Sequence, residues 1–279
     1  MKTKQMKTPK QMKTTKMKLA TVTAIALLLA ITSCKSDDDN TQKKECFEHF
    51  NYDSSTHEGP ADWANYCVAA GVVNECGSTV RQSPINIVNA VSDDNLTDLS
   101  TTYANSSTDI LNNGHTIQFN YNGTATLNFD GEVFSLLQFH FHAESEHTVV
   151  GSHHPLEAHL VHKSASGNLA VIGVLFELGD ENAFLAQFID NLPEHKDDTY
   201  VNASLSYNAL SLLSAGDSYF NYDGSLTTPP CSEIVEWIVM ENPLEASQTQ
   251  LDAFSNILHN NFRPIQPLNG RVIGHHTAG

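Results

Sequence analysis

Positive charge is scarce in this 279-residue chain beyond its first eighteen positions. Seven of its fifteen Lys and Arg residues fall between Met1 and Lys18, where there is no acid. Without residues 1–33 the balance is eight basic residues against thirty-two acidic ones, a net charge of −24. A surface of that sign repels nucleic acid and anionic lipid, so no nucleic-acid partner is expected, and a broadly basic substrate groove is excluded. Long apolar stretches are missing too. The run Leu19 to Ile31 falls short of the about 20 residues that a membrane-spanning helix needs. There is no internal repeat and no sign of a second domain, and the length is ample for one substantial core.

The N-terminus carries an export pattern. Lysines precede the apolar run, which ends in Ile31-Thr32-Ser33-Cys34. Residues 1–33 read as a signal peptide with a bacterial lipoprotein cleavage box, after which a lipidated Cys34 becomes the new N-terminus. An ordinary signal peptide with an incidental cysteine is the alternative. Residues 34–45 are polar and acidic with no apolar face, and they read as a flexible tether. The expected location is therefore outside the cytoplasm, lipid-anchored at the outer membrane on its periplasmic side or at the cell surface. The remaining cysteines, Cys46, Cys67, Cys76 and Cys231, read as disulfide partners in an exported chain.

From residue 46 to 279 the pattern is that of one strand-rich domain. Short alternating runs, 116–121, 124–129, 136–142, 157–163 and 169–178, are separated by turn residues, of which Asn122-Gly123 and Asp130-Gly131 are the strongest signals. The apolar run Ala170 to Phe176 reads as a central buried strand. Helical spacing is confined to 183–191 and 247–258, with one further turn near 61–66. The expected fold is mainly β (α+β): a large, mostly antiparallel twisted sheet with a few short peripheral helices.

Among fourteen histidines, three stand in a pattern that points to metal. In Gln138-Phe139-His140-Phe141-His142 the period of two puts Gln138, His140 and His142 on one face. In Glu157-Ala158-His159-Leu160-Val161-His162 it puts Glu157, His159 and Val161 together. Paired antiparallel, these strands can bring a third imidazole to the first two. Three nitrogen ligands suit zinc and leave a fourth position open for chemistry. Gln138 and Glu157, two residues before His140 and His159, are candidate partners for the second ring nitrogens. His147, His153, His154 and His162 have no such partners and read as loop or outer-face residues.

These residues resemble the alpha-class carbonic anhydrases. The likeness rests on QFHFH (138–142), SEHT (145–148), EAHLVH (157–162), NNGH (112–115), QSPINI (82–87), YDGSLTTPPCSE (222–233) and FRPIQPLNGR (262–271), in the family's order. The resemblance implies zinc-dependent reversible hydration of carbon dioxide to bicarbonate and a proton. Zinc on three histidines acidifies its water to a pKa of about 7, a value established for this family of enzymes and not read from this sequence. By the same resemblance Thr227 accepts a hydrogen bond from the zinc-bound hydroxide and donates to Glu146, and His115 carries the proton away. Val161, Val171, Leu226 and Trp237 line the pocket, Thr228 helps place bicarbonate, and Tyr52 lies at the polar rim. Ser83-Pro84 and Pro229-Pro230 would be cis. Cys76 would bridge to Cys231, leaving Cys46 and Cys67 as a possible second pair. The segment between Glu146 and Glu157 is short beside the animal enzymes, which bears on the outer pocket and not on the metal ligands.

Two other functions fit parts of this pattern. Some relatives of the fold have lost a zinc histidine and act as binding modules; the presence of His140, His142, His159, Thr227 and Glu146 argues against that here. A zinc esterase would want a basic or hydrogen-bonding groove, which the charge balance speaks against.

Overall fold

The computed structural model describes residues 49–66, 73–213 and 218–279. The expected signal peptide, Cys34, the tether, Cys46 and Cys67 lie outside the described residues.

Among these residues the alternating segments build one 13-stranded sheet. Nine strands position the site: β1 (Ser106–Asn112), β2 (Ile117–Asn120), β3 (Glu132–His142), β4 (Leu156–Ser164), β5 (Leu169–Leu178), β6 (Thr199–Tyr207), β7 (Tyr219–Gly224), β8 (Val235–Met240) and β9 (Gly274–His276). They lie side by side in the order β6-β1-β2-β3-β4-β5-β8-β7-β9. All of these neighbours are antiparallel except β5 and β8. The mainly β, largely antiparallel architecture is as the sequence pattern implies.

Both faces of the sheet centre are covered. On β5, Ala170, Ile172, Val174 and Phe176 enter a large apolar cluster with Phe139, Phe141 and Leu160. Val171 and Leu175 enter a smaller one on the opposite face with Ile85, Trp237 and Val239. A strand buried on both sides has no polar face to present, which is why β5 reads as an unbroken apolar run. The helix α1 (Gln248–Leu258) packs Leu251, Phe254 and Leu258 into the large cluster. Its start is set by a capping box, with Ser247 and Gln250 exchanging side-chain and backbone hydrogen bonds. The other expected helix is two 3₁₀ turns, Leu185–Gln187 and Ile189–Asn191. Phe184, Leu185 and Phe188 are buried there, so their spacing marks the buried side of the segment without deciding the type of turn.

Two local expectations change. Asp130-Gly131 is a hairpin turn, with φ of 46° and 74° between the paired segments 125–129 and β3. Asn122-Gly123 is not. The segments on either side of it both pair with β3, one after the other, so the dipeptide interrupts an edge instead of reversing the chain. At Gly123 a Cβ would lie 2.7 Å from the Asn105 carbonyl oxygen. The second change is a bulge: Val161 pairs with Gln138 but His162 pairs with Leu136, so Leu137 is the extra residue. Leu137 turns to solvent instead of joining Phe139, and Leu136 takes the buried place.

His162 is the larger correction. Far from the outer face, it is fully buried in the core. Its Nδ1 donates to the carbonyls of Leu160 and Ala170, and its Nε2 accepts from the Tyr103 hydroxyl. A histidine with both nitrogens satisfied can be buried like an apolar side chain, provided it stays neutral. Burial pushes its pKa from 6.5 to about 4, against the opposing backbone bonds. Because the folded value lies below the unfolded one, this group contributes stability above pH 6.5 that is lost as pH falls toward 4. At about 1.4 kcal/mol per pH unit the loss approaches about 3.5 kcal/mol. We expect the urea midpoint to fall more steeply between pH 6.5 and 4 in the wild type than in His162→Phe. Equal slopes would show that acid acts elsewhere.

Candidate metal centre

Three rows of paired residues cross the sheet and assemble the site. In the first, His142 on β3 faces Glu157 on β4. In the second, Gln118, His140, His159, Gly173 and Val239 stand on β2, β3, β4, β5 and β8. The third holds Gln138, Val161, Val171, Trp237 and Tyr222 on β3, β4, β5, β8 and β7. Paired residues of adjacent strands share a face, so the histidine pattern and the apolar pattern occupy neighbouring rows of one surface.

The three imidazoles converge as their spacing implies. Ring centroids lie 5.1 Å apart for His140 and His142, 5.3 Å for His140 and His159, and 4.6 Å for His142 and His159. One ring nitrogen from each lies within 4.8 Å of the others. Each remaining nitrogen faces an oxygen. His140 Nδ1 is 2.9 Å from Gln138 Oε1, His142 Nδ1 is 2.7 Å from the Asn261 carbonyl, and His159 Nε2 is 2.9 Å from Glu157 Oε1. Those oxygens accept, so the ring N–H groups must point at them, and the three inward nitrogens present lone pairs to one another.

Among the described residues His142 Nε2 is buried without a hydrogen-bond partner. Charging two of the rings is resisted as well. Desolvation, reinforced by the neighbouring imidazoles, holds His140 well below its ordinary value, and desolvation also lowers His142. His159 is raised, because Glu157 outweighs its desolvation. Three converging nitrogens with their tautomers fixed from behind are a donor set for a transition-metal cation. His140 is the partly exposed member and His142 and His159 are buried, so the approach from solvent is on the His140 side.

Glu157 does more than its offset from His159 implies. Its Oε1 also meets His147 Nδ1 at 2.7 Å, its Oε2 accepts from the His147 backbone N–H at 2.9 Å, and His147 Nε2 is 2.6 Å from the Tyr222 hydroxyl. Desolvation works against ionisation of Glu157, but the charges of His147 and His159 outweigh it and hold the carboxyl well below the usual range. Space for this carboxylate comes from Gly173, where a Cβ would lie 2.9 Å from Glu157 Oε1. His147 stands on the loop after β3, as expected, but it is fully buried at the site and has the partners that the sequence pattern did not show. The histidine of SEHT shows no partner in sequence because Glu157 is ten residues away and Tyr222 is seventy-five. His153 is exposed and His154 half-buried on the segment between, as expected. That segment is a tight hairpin, Thr148–Val149 against Ser152–His153, docked on Asn86–Ile87.

Glu146 is fully buried. Its Oε1 accepts from the Arg263 backbone N–H at 2.8 Å, while Oε2 has no hydrogen-bond partner and lies 3.7 Å from His142 Nε2 and 3.9 Å from His159 Nδ1. Arg263 is itself buried, its guanidinium bonded to Gln82, Ser83 and Cys76, and desolvation lowers it to about 10 against the pull of Glu146. Thr227 is buried on the loop after β7, and Thr228 and Cys231 close a turn, Cys231 N to Thr228 O at 2.8 Å. Ser83-Pro84 and Pro229-Pro230 are cis, as is Ala143-Glu144. Cys76 and Cys231 are bonded, as the resemblance implied. Val161, Val171, Leu226 and Trp237 share the smaller apolar cluster, and the Trp237 ring lies 4.8 Å from that of His159. His115 is half-buried and stacked on Phe50 at 3.9 Å. Tyr52 packs edge-on against Phe50 and Trp63, and burial together with Glu146 raises its phenol well above its usual value.

A cluster of three metal-ready imidazoles, backed by carboxylate and amide and open on one side beside an apolar wall, defines a sheet-borne metalloenzyme. The model of the eukaryotic-type carbonic anhydrase family matches residues 58–277. The chain is 46% identical over 211 residues to a carbonic anhydrase of Klebsiella pneumoniae, covering 73% of this chain and 85% of that one. It is 39% identical over 254 residues to one of Pectobacterium atrosepticum, covering 90% and 98%. The structure of the alpha-carbonic anhydrase from Thermovibrio ammonificans in complex with the inhibitor sulfanilamide superposes with a TM-score of 0.75 at 39% identity, covering 81% of this chain and 98% of that one. This chain belongs to the alpha carbonic anhydrase family and is an enzyme of that family.

Proposed function

We propose that the protein hydrates carbon dioxide reversibly to bicarbonate and a proton, with zinc held by His140 Nε2, His142 Nε2 and His159 Nδ1. The observation that carries this is the convergence of one ring nitrogen from each of the three histidines, that of His142 without a hydrogen-bond partner among the described residues. When bound, zinc supplies the acidification of water that makes hydroxide available near neutral pH.

The chain's own residues do the rest. Gln138, Asn261 and Glu157 keep the ring protons on the outer nitrogens, so the inner ones stay available. Carbon dioxide is small and uncharged, and the wall of Val161, Val171, Leu226 and Trp237 receives it without a charged clamp. Glu146 Oε2, buried and without a hydrogen-bond partner among the described residues, accepts a hydrogen bond from the Thr227 hydroxyl in this reading. Thr227 Oγ1 is then left to accept, which favours an incoming group that carries a hydrogen over an anion that carries none. Thr228 helps place the bicarbonate product, and Tyr52 completes the polar rim. His115 accepts the proton that must leave between turnovers. His115→Ala is expected to lower turnover about tenfold or more at low buffer concentration, with partial rescue by imidazole. Unchanged turnover would show that the proton leaves by another route.

A stopped-flow pH assay with carbon dioxide tests the reaction. Activity should vanish on chelation and return with zinc, and zinc-loaded protein without acceleration would overturn the proposal. The export pattern supports a second part of the reading, a lipid tether on Cys34 holding the enzyme at the outer membrane. Mass spectrometry of the mature protein should find an acylated Cys34 at its N-terminus; an unmodified N-terminus would refute the anchor.

A further inference from the structure

Asn261 is buried and uses nearly every polar atom it has. Its backbone carbonyl accepts from His142 Nδ1 at 2.7 Å. Its side-chain Oδ1 accepts from the Ala143 backbone N–H at 2.9 Å, and its Nδ2 donates to the carbonyls of Phe141 and His115, both at 3.0 Å. One residue, far in sequence from everything it touches, therefore grips a metal-ligand strand on both sides of His142 and reaches across to the turn that carries His115.

That turn is also held by its own asparagines, by the 193–198 segment, by the Phe50 ring stacked on His115, and by the Thr116 hydroxyl, which donates to the Phe141 carbonyl at 2.6 Å. The N–H groups of His115 and Thr116 donate to Asn113 Oδ1, and Gly114 N–H donates to Asn112 Oδ1. Asn112 is tied in turn to Pro193, Asp197 and Asp198, and the Lys196 side chain lies where a Cβ on Gly114 would fall. The Thr116 hydroxyl reaches the ligand strand at Phe141, and the Asn261 carboxamide ties the His115 carbonyl itself to that same Phe141 carbonyl. We propose that Asn261 is a positioning residue for the proton-transfer step, its side-chain amide fixing the backbone of His115 relative to the ligand strand of His140 and His142. The inference rests on the reading of His115 as proton acceptor. Its physical basis is that transfer through short hydrogen-bonded paths is sensitive to displacements of about 1 Å, whereas an apolar electrophile arriving at the wall is not aimed by this turn.

The test is Asn261→Ala, which leaves the carbonyl on His142 in place. At low buffer its kcat should fall about fivefold or more, kcat/KM should fall by much less, zinc stoichiometry should stay near one, and imidazole should restore part of the loss. The double variant His115→Ala/Asn261→Ala should be no slower than His115→Ala. If Asn261→Ala does not fold, Asn261→Ser is read in the same way. A fall in zinc content and kcat/KM in step with kcat would show that Asn261 serves the metal ligands alone and overturn the proposal. An unchanged kcat in Asn261→Ala beside a slowed His115→Ala would overturn it while leaving the proton route standing. Unchanged kcat in both would overturn both.

Discussion

His140→Ala is expected to lose carbon dioxide hydration by on the order of a thousandfold or more, and to lose stoichiometric zinc with it. Two nitrogens remain after the substitution, and a two-ligand site on a sheet neither holds zinc at micromolar concentration nor keeps its coordination defined. The fold should survive, because His140 is the partly exposed member of the three and its loss opens the site to water instead of leaving a sealed void. Gln138 Oε1 loses its partner, a cost that nearby water can offset. The measurement is metal content by mass spectrometry beside stopped-flow turnover and a melting curve of the metal-free forms. An alanine variant that keeps both zinc and turnover would sink the assignment of the ligands, and with it the proposed chemistry.

Removing the bridge between Cys76 and Cys231 should cost about 3 to 5 kcal/mol. The two residues are 155 positions apart, and closing so long a loop in the unfolded chain is worth about 5 kcal/mol by loop-closure entropy. The bridge also sits at the foot of the loop that carries Thr227 and Thr228. Around it, Gln82 Nε2 donates to the Cys231 carbonyl, the Glu75 N–H to the Pro230 carbonyl, and the Glu233 N–H to Glu75 Oε2. A Cys76→Ser/Cys231→Ser variant should therefore unfold at lower urea, and its turnover at a temperature where it is folded should fall while zinc content holds. Identical urea midpoints before and after reduction would show that these hydrogen bonds hold the loop without the bridge.

The candidate ligands were legible because strand periodicity is a local property: His140 and His142 are two apart, and Glu157 and His159 repeat the offset on a like-patterned strand. The covering of both faces of β5 was legible for the same reason, in its continuous apolar run. His162 misled because a polar side chain reads as exposed until its partners are known, and Tyr103 is fifty-nine residues away. The bulge at Leu137 could not be read either, since two successive leucines satisfy the alternation in either register.

By itself, then, the order of residues determined which side chains share a face of each strand, where charge is absent, and which motifs stand in the sequence of a known family. Only the tertiary structure decided that Asn261 closes on His142, that His147 joins Glu157 to Tyr222, and that Gly173 leaves room for the carboxylate between them. The reason is physical. Periodicity constrains neighbours along a strand, whereas a hydrogen bond between residues more than a hundred positions apart exists only once the sheet has set its register and the chain has returned to it.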